Sequence, residues 1–274
     1  MQHKILAFIG AGNMSRSIIA GLVQAGYPAD RILAANPSRP KLDALASQFG
    51  IRVTQDNAEA ARASDVIVLA VKPQLMAGML SSLVAELGSL EGRLLISIAA
   101  GIKVERLQEM AGGHGRIIRT MPNTPSLLGL GMTGLYAPPA IGQEDRDFAE
   151  QMMQSVGKTL WTSQESGING VIAAAGSAPA YFFLFMQAIA EEAEAMGFSP
   201  EQARLLVQQT ALGAAAMVEQ NPQLSLQTLR EQVTSKGGTT AEAVKTFQEQ
   251  GLMPLTARAM QAAVTRAAEM ETLF

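Results

Sequence analysis

The chain of 274 residues contains no cysteine, and its two histidines, His3 and His114, lie far apart. Disulfides, thiolate metal sites and cysteine nucleophiles are thereby excluded together, no metal site is expected, and a reducing compartment is compatible. Aromatic residues make up only 5% of the chain, there is no basic run, and the net charge is −3. Neither a base-stacking platform nor a phosphate-tracking face is available, so no nucleic acid partner is expected. The start, MQHKILAFIGAGNM, lacks the long apolar region of a signal peptide. Its short apolar run before glycines reads as a strand, which leads to the expectation of a cytoplasmic protein. Charge is absent altogether from residues 168–190, INGVIAAAGSAPAYFFLFMQAIA, a length that would span a bilayer. Asn169, Ser177, Gln187, a central Pro179 and many small residues make it less lipophilic than a typical span. The expectation is a helix buried at a subunit interface, with no membrane partner.

What the chain does contain is a rhythm. From Lys4 to about Trp161, short β-branched or leucine-rich runs alternate with helical patterns, as a parallel sheet covered by helices requires. Strands are expected at 4–9, 31–35, 65–71, 93–99, 116–120 and 131–137. Beyond Gln164 alanine, glutamate, glutamine, methionine and leucine dominate, so the second domain should be all-helical. The expected fold class is α/β, a Rossmann-type dinucleotide-binding domain over 1–162 followed by an all-helical domain over 163–274, to which the resemblance described below assigns dimerisation and substrate binding. Ser199-Pro200-Glu201 marks a helix start, a capping hydroxyl before a first-turn proline.

The first strand runs into Gly10-Ala11-Gly12, with Asn13 and Met14 opening a helix and Ser15 where a third glycine or alanine of the dinucleotide fingerprint would fall. Backbone amides and the helix dipole favour a pyrophosphate there, although a tight turn alone would also use these glycines. An NAD enzyme usually places an acidic residue at the end of the second strand, to bond the ribose 2′-hydroxyl. Here the sequence is AANPSRP. Asn36 does not repel a 2′-phosphate, Ser38 can donate to it and Arg39 can pair with it, so NADP(H) is expected, with NAD(H) used less well. The alternative is that Ser38 caps the next helix and Arg39 is solvated. Asn57, Ala70, Val71, Lys72 and Pro73, then Ala100 and Gly101, join the cofactor set. Ala70 and Val71 end the strand 65–71, and the last four follow the strands 65–71 and 93–99, where open α/β sheets bind ligands. Pro73 would equally start a helix, Gly101 turn the chain and Lys72 be solvated. Pro122 and Pro125 stiffen a loop expected to display Asn123 and Thr124 beneath the nicotinamide.

In VTSKGGTTAEAVKTF, residues 233–247, Gly237 or Gly238 can end one helix while Thr239 and Glu242 fit a capping box for the next. That accounts for only part of the motif. Consecutive small residues at a helix start leave amides free to cradle an anion. Ser235, Gly238 and Thr239 are expected to hold an anionic group of the substrate through main-chain amides, with Val233, Gly237 and Asn123 assigned to the same pocket. Thr240 would turn its hydroxyl to the reacting group, and Glu219 would anchor the loop or lie solvated.

The segments FIGAGNM, AVKPQ, SIAAGI, RTMPNTP, GSAPAY and VTSKGGTTAEAV occur in that order. As an ordered series they resemble pyrroline-5-carboxylate reductases over nearly the whole chain, although the first alone would fit many dehydrogenases. The resemblance implies the NAD(P)H-dependent final step of proline synthesis, reduction of a cyclic imine carboxylate, 1-pyrroline-5-carboxylate, to L-proline. It also implies a homodimer formed by the helical domain, a site built across that dimer, and Thr240 as partner of the ring nitrogen. A higher homo-oligomer such as a decamer stays open. Two departures bear on substrate affinity: Lys236 stands where the family commonly has proline, and AAGSAPAY (174–181) replaces a more glycine-rich SGSGPAY.

A cyclic imine that is protonated before hydride arrives requires no strong acid, whereas a ketone does. Segment 168–190 has no lysine or histidine, while related β-hydroxyacid dehydrogenases carry a lysine on the corresponding helix. The alternatives are an imine reductase or β-hydroxyacid dehydrogenase of the same build and a non-catalytic NADP(H)-binding regulatory protein.

Overall fold

The computed structural model describes residues 3–113 and 116–274, so His114 lies outside the described residues. Eight strands form one sheet: β1 Leu6–Ile9, β2 Ile32–Ala35, β3 Arg52–Thr54, β4 Val66–Leu69, β5 Leu94–Ser97, β6 Arg116–Met121, β7 Gly131–Tyr136 and β8 Gly157–Trp161. Their order is β3-β2-β1-β4-β5-β6-β7-β8, parallel throughout except for β6 against β7. All six expected strands are present. The two unforeseen ones, β3 and β8, lie at the edges, where short, half-polar segments leave little periodic signal.

Residues of β1, β2, β4 and β5 are buried on both faces, which is why these strands read as unbroken apolar runs. The alternation of side chains still divides the core into two. Leu6, Phe8, Ile32, Ala34, Val66 and Val68 belong to one cluster, and Ala7, Ile9, Leu33, Ala35, Ile67 and Leu69 to the other. The first is covered by α1 (Asn13–Gln24), α2 (Arg39–Phe49) and, further along the chain, by α6; the second by α3 (Asn57–Arg62), α4 (Pro73–Leu87) and α5 (Val104–Met110). Helix α6 spans Gln143–Gln154 and α7 Gly167–Val171. The remaining helices are α8 Ala178–Ala195, α9 Pro200–Gln220, α10 Leu226–Gln232, α11 Thr239–Glu249 and α12 Leu252–Met270. The start of α9 carries the expected cap: Ser199 accepts from the Gln202 amide, and the Gln202 side chain accepts from that of Ser199.

The chain divides into one unit of residues 1–177 with 262–274 and another of residues 178–261. The first unit thus extends past residue 162 and takes back the C-terminal segment. Helix α7 belongs to the sheet because Gly134 on β7 lacks a side chain where Val171 packs; a Cβ there would stand 2.7 Å from Val171 Cγ1. After α7, residues 172–176 form a π-helical turn in which the Ser177 amide reaches back to the Ile172 carbonyl at 2.7 Å. Pro179 explains this turn. It has no N–H to offer the Ala175 carbonyl, so the regular ladder cannot continue.

Tyr27, just past α1, is 5% exposed and donates its hydroxyl to the Lys4 carbonyl. Burial pushes its phenol up from 10 to about 12. The unfolded phenol ionises first, so stability is retained below about pH 10 and lost as pH rises toward 12, by about 2–3 kcal/mol. Denaturant titrations on either side of that window should show this loss in the wild type, and a smaller one in Tyr27→Phe.

Candidate active site

The loops following β1, β2, β4, β5 and β6 all leave the sheet at the strands' carboxyl edge, and β1 lies between β2 and β4, where the chain's winding reverses. This is the crevice in which open α/β sheets take a ligand. Gly10 adopts φ 113°, and a Cβ on it would stand 2.5 Å from the Ala70 carbonyl oxygen, so only glycine fits between β1 and β4. Gly12 begins α1 with open space where its side chain would be and with no side-chain cap. The first intrahelical bond runs from Arg16 N to Gly12 O at 3.0 Å, which leaves the amides of Asn13 and Met14 without an acceptor in the helix. This arrangement suits a pyrophosphate. Ser15, at the fingerprint's third position, is buried and donates its hydroxyl to the Gly10 carbonyl at 2.6 Å. It closes the turn from inside, a role the sequence signalled only by a serine in place of glycine.

Asn36 accepts the Ala11 amide at 3.2 Å and donates to the Ser38 carbonyl at 3.4 Å, tying the glycine turn to the end of β2. Ser38 precedes α2 in extended backbone, but its side chain makes no cap. Arg39 is exposed and paired with Asp43 one turn on, at 2.7 Å. Asn57 opens α3, capped by Asp56. Ala70 and Val71 lead from β4 to Lys72, an exposed N-cap residue, and Pro73, the first residue of α4. Ala100 and Gly101 follow β5, Gly101 with φ 75° and close against Met270.

One expectation is corrected here. Asn123 is not displayed for a ligand: it is 8% exposed, donates to the Ala175 carbonyl at 3.0 Å and accepts the Met132 amide at 2.9 Å. Its amide group satisfies the very carbonyl that Pro179 leaves unpaired, so the side chain acts as a strut beneath the loop. Thr124 beside it is exposed.

In the helical unit, Ser235 to Gly238 form a tight turn, with Gly238 N bonded to Ser235 O at 3.0 Å and Gly237 at φ 72°. Lys236 occupies the second position of that turn, where proline's fixed φ is favoured. Two points differ from expectation. The N-cap of α11 is Gly238, not Thr239, and it offers no side-chain cap; Thr239 is the first helical residue. The Gly238 amide is already engaged by the turn, so it is the amides of Thr239, Thr240 and Ala241 that precede the first intrahelical bond, Glu242 N to Gly238 O. The hydroxyls of Thr234 and Thr246 fold back onto carbonyls one turn earlier, at 2.6 and 2.9 Å. The Thr240 hydroxyl makes no such bond among the described residues. Val233 ends α10 and is exposed, and Glu219 lies in the last turn of α9. Phe185 and Phe247, with ring centroids 5.7 Å apart, join α8 to α11.

The start of the uncharged segment is buried in the single chain, at Ile168, Val171 and Ala173, whereas its α8 part, expected to be covered by a second subunit, is open. Phe182, Phe183 and Leu184 on α8 are 67%, 63% and 67% accessible, and α9 adds Leu205, Leu206 and Leu212. Among the described residues one helical stretch, Gly167–Ala195, is long and apolar enough to cross a membrane by length and composition.

A family model described as pyrroline-5-carboxylate reductase dimerisation matches residues 165–270. Another, described as NADP oxidoreductase coenzyme F420-dependent, matches 5–101. A pyrroline-5-carboxylate reductase of Vibrio alginolyticus is 58% identical over the whole of both chains. The chain belongs to the pyrroline-5-carboxylate reductase family. Among solved structures, that of a pyrroline-5-carboxylate reductase from Coxiella burnetii superposes with a TM-score of 0.93 at 40% identity, covering 98% of this chain and 99% of the other. A Plasmodium falciparum pyrroline carboxylate reductase with NADP bound gives 0.85 at 27% identity, with 99% of each chain covered.

Proposed function

We propose that this chain reduces 1-pyrroline-5-carboxylate to L-proline with NADPH, completing proline biosynthesis in the cytoplasm. The observation that carries the reading is the uncapped start of α11 with its idle Thr240 hydroxyl, in a chain matched end to end by a reductase of that imine. The amides of Thr239, Thr240 and Ala241 take the substrate carboxylate, aided by the positive end of the helix dipole. The Thr240 hydroxyl oxygen accepts from the protonated ring nitrogen and orients it. The first turn of α1 receives the pyrophosphate and the loops after β4 and β5 flank the nicotinamide, which supplies the hydride when bound. Because an iminium already carries the positive charge, these residues accelerate transfer by positioning rather than by strong acid catalysis. Lys236 adds a positive charge near the carboxylate.

The exposed apolar surface of α8 and α9 serves as a homodimer interface, since monomers seldom leave so large a patch in water. The family resemblance assigns the completed site to that dimer, and further association into a decamer is compatible with it. The decisive assay follows NADPH oxidation with pyrroline-5-carboxylate, alongside acyclic imines and, in the oxidative direction, β-hydroxy acids. Preferred turnover of a β-hydroxy acid would overturn the assignment, and cofactor binding without turnover would favour a regulatory protein.

Cofactor choice has its own test. Arg39 can exchange Asp43 for a 2′-phosphate, and Asn36 presents no opposing charge. Arg39→Ala should raise the KM for NADPH by about 1.5–3 kcal/mol in free-energy terms and leave that for NADH nearly unchanged. Equal effects on the two cofactors contradict the NADPH preference.

A further inference from the structure

Helix α12 begins in the helical unit, but its residues from Ala262 onward, with the chain end, belong to the sheet's unit. There Glu271, 6% exposed at its side chain, stands 2.9 Å from Nη1 of Arg119. Arg119 lies on β6, is 1% exposed, and through the same nitrogen donates to Glu165 Oε1 at 3.1 Å. That oxygen also accepts the amide of Val104, the first residue of α5, at 2.7 Å. Lys103 Nζ lies 3.7 Å from the other Glu271 oxygen. Met270, next to Glu271, closes over Gly101 at a distance a Cβ would reduce to 3.0 Å. Lys103 and Val104 are thus held by the two carboxylates that one buried guanidinium gathers, and Gly101 lies against Met270, the residue next to one of them.

Ion clusters of this kind contribute little net stability, because desolvation offsets most of the attraction; their best-attested use is to fix a register. Arg119 gathers both carboxylates on Nη1, while its Nη2 is buried without a hydrogen-bond partner. We infer that Arg119, Glu165 and Glu271 are positioning residues which hold the loop Ala100–Gly101 in the conformation that receives the cofactor. Through α12 they also make the chain's C-terminal end part of the cofactor site's support. The inference rests on the proposed assignment of that loop to the cofactor.

Glu271→Gln keeps shape and removes charge while leaving Glu165 on Arg119. It should raise the KM and dissociation constant for NADPH about tenfold, with kcat at saturation and the KM for the imine within about twofold of wild type. Arg119→Lys should bind NADPH better than Arg119→Met. Ala100→Asp probes the loop separately: if it leaves NADPH binding unchanged, the loop assignment fails. If Ala100→Asp weakens NADPH binding but Glu271→Gln does not, the positioning role fails alone. A lower melting temperature in Glu271→Gln with both KM values intact, or a uniform fall in every kinetic constant, also overturns it.

Discussion

Leu184→Glu should yield a folded monomer without reductase activity. Leu184 is 67% exposed within its own chain, so the substitution leaves the chain's internal packing intact. In a symmetric dimer the same surface meets itself, and each copy would bring an unpaired carboxylate into an apolar contact. Removing one such charge from water costs several kcal/mol, so the dissociation constant should rise by about 100-fold or more. Light scattering reads the mass, far-UV circular dichroism the fold, and NADPH oxidation the activity. An active monomer would refute a site completed by dimerisation, and an unaltered dimer would remove α8 from the interface.

Thr240→Ala should lower kcat/KM for the imine by about 1–3 kcal/mol, the range for one lost hydrogen bond, while leaving NADPH affinity and thermal stability near wild type. Thr240→Ser, which retains the hydroxyl, should keep most of the activity. The neighbouring threonine is the control, and the structure alters what it should do. As first helical residue rather than cap, Thr239 makes no side-chain capping bond. Thr239→Ala should therefore change stability by no more than about 0.5 kcal/mol and, since its proposed contact with substrate is through the amide, should preserve turnover. Early melting of Thr240→Ala with normal kinetics would show that the hydroxyl serves the helix and not the substrate.

The sequence by itself determined the sheet's interior, because parallel strands covered on both faces must be continuous apolar runs and glycine turns must mark their exits. The surplus of small residues between α10 and α11 marked a helix start there too, which the structure places at Gly238 without a side-chain cap. Edge strands β3 and β8 were not legible, since half-polar segments of 3 to 5 residues carry no periodicity distinct from a loop. The lack of charge on α8 indicated burial at a subunit interface, and the single chain leaves that surface open, because composition cannot say what covers it. Only the tertiary structure decided the partners of polar groups remote in sequence. Pro179 announces an unpaired carbonyl at Ala175, yet nothing local indicates that Asn123 will satisfy it. Arg119 reads as one cation in a strand until Glu165 and Glu271 close on it. A hydrogen-bond deficit is a local property of the backbone, whereas its remedy depends on which distant side chain the fold brings within 3 Å.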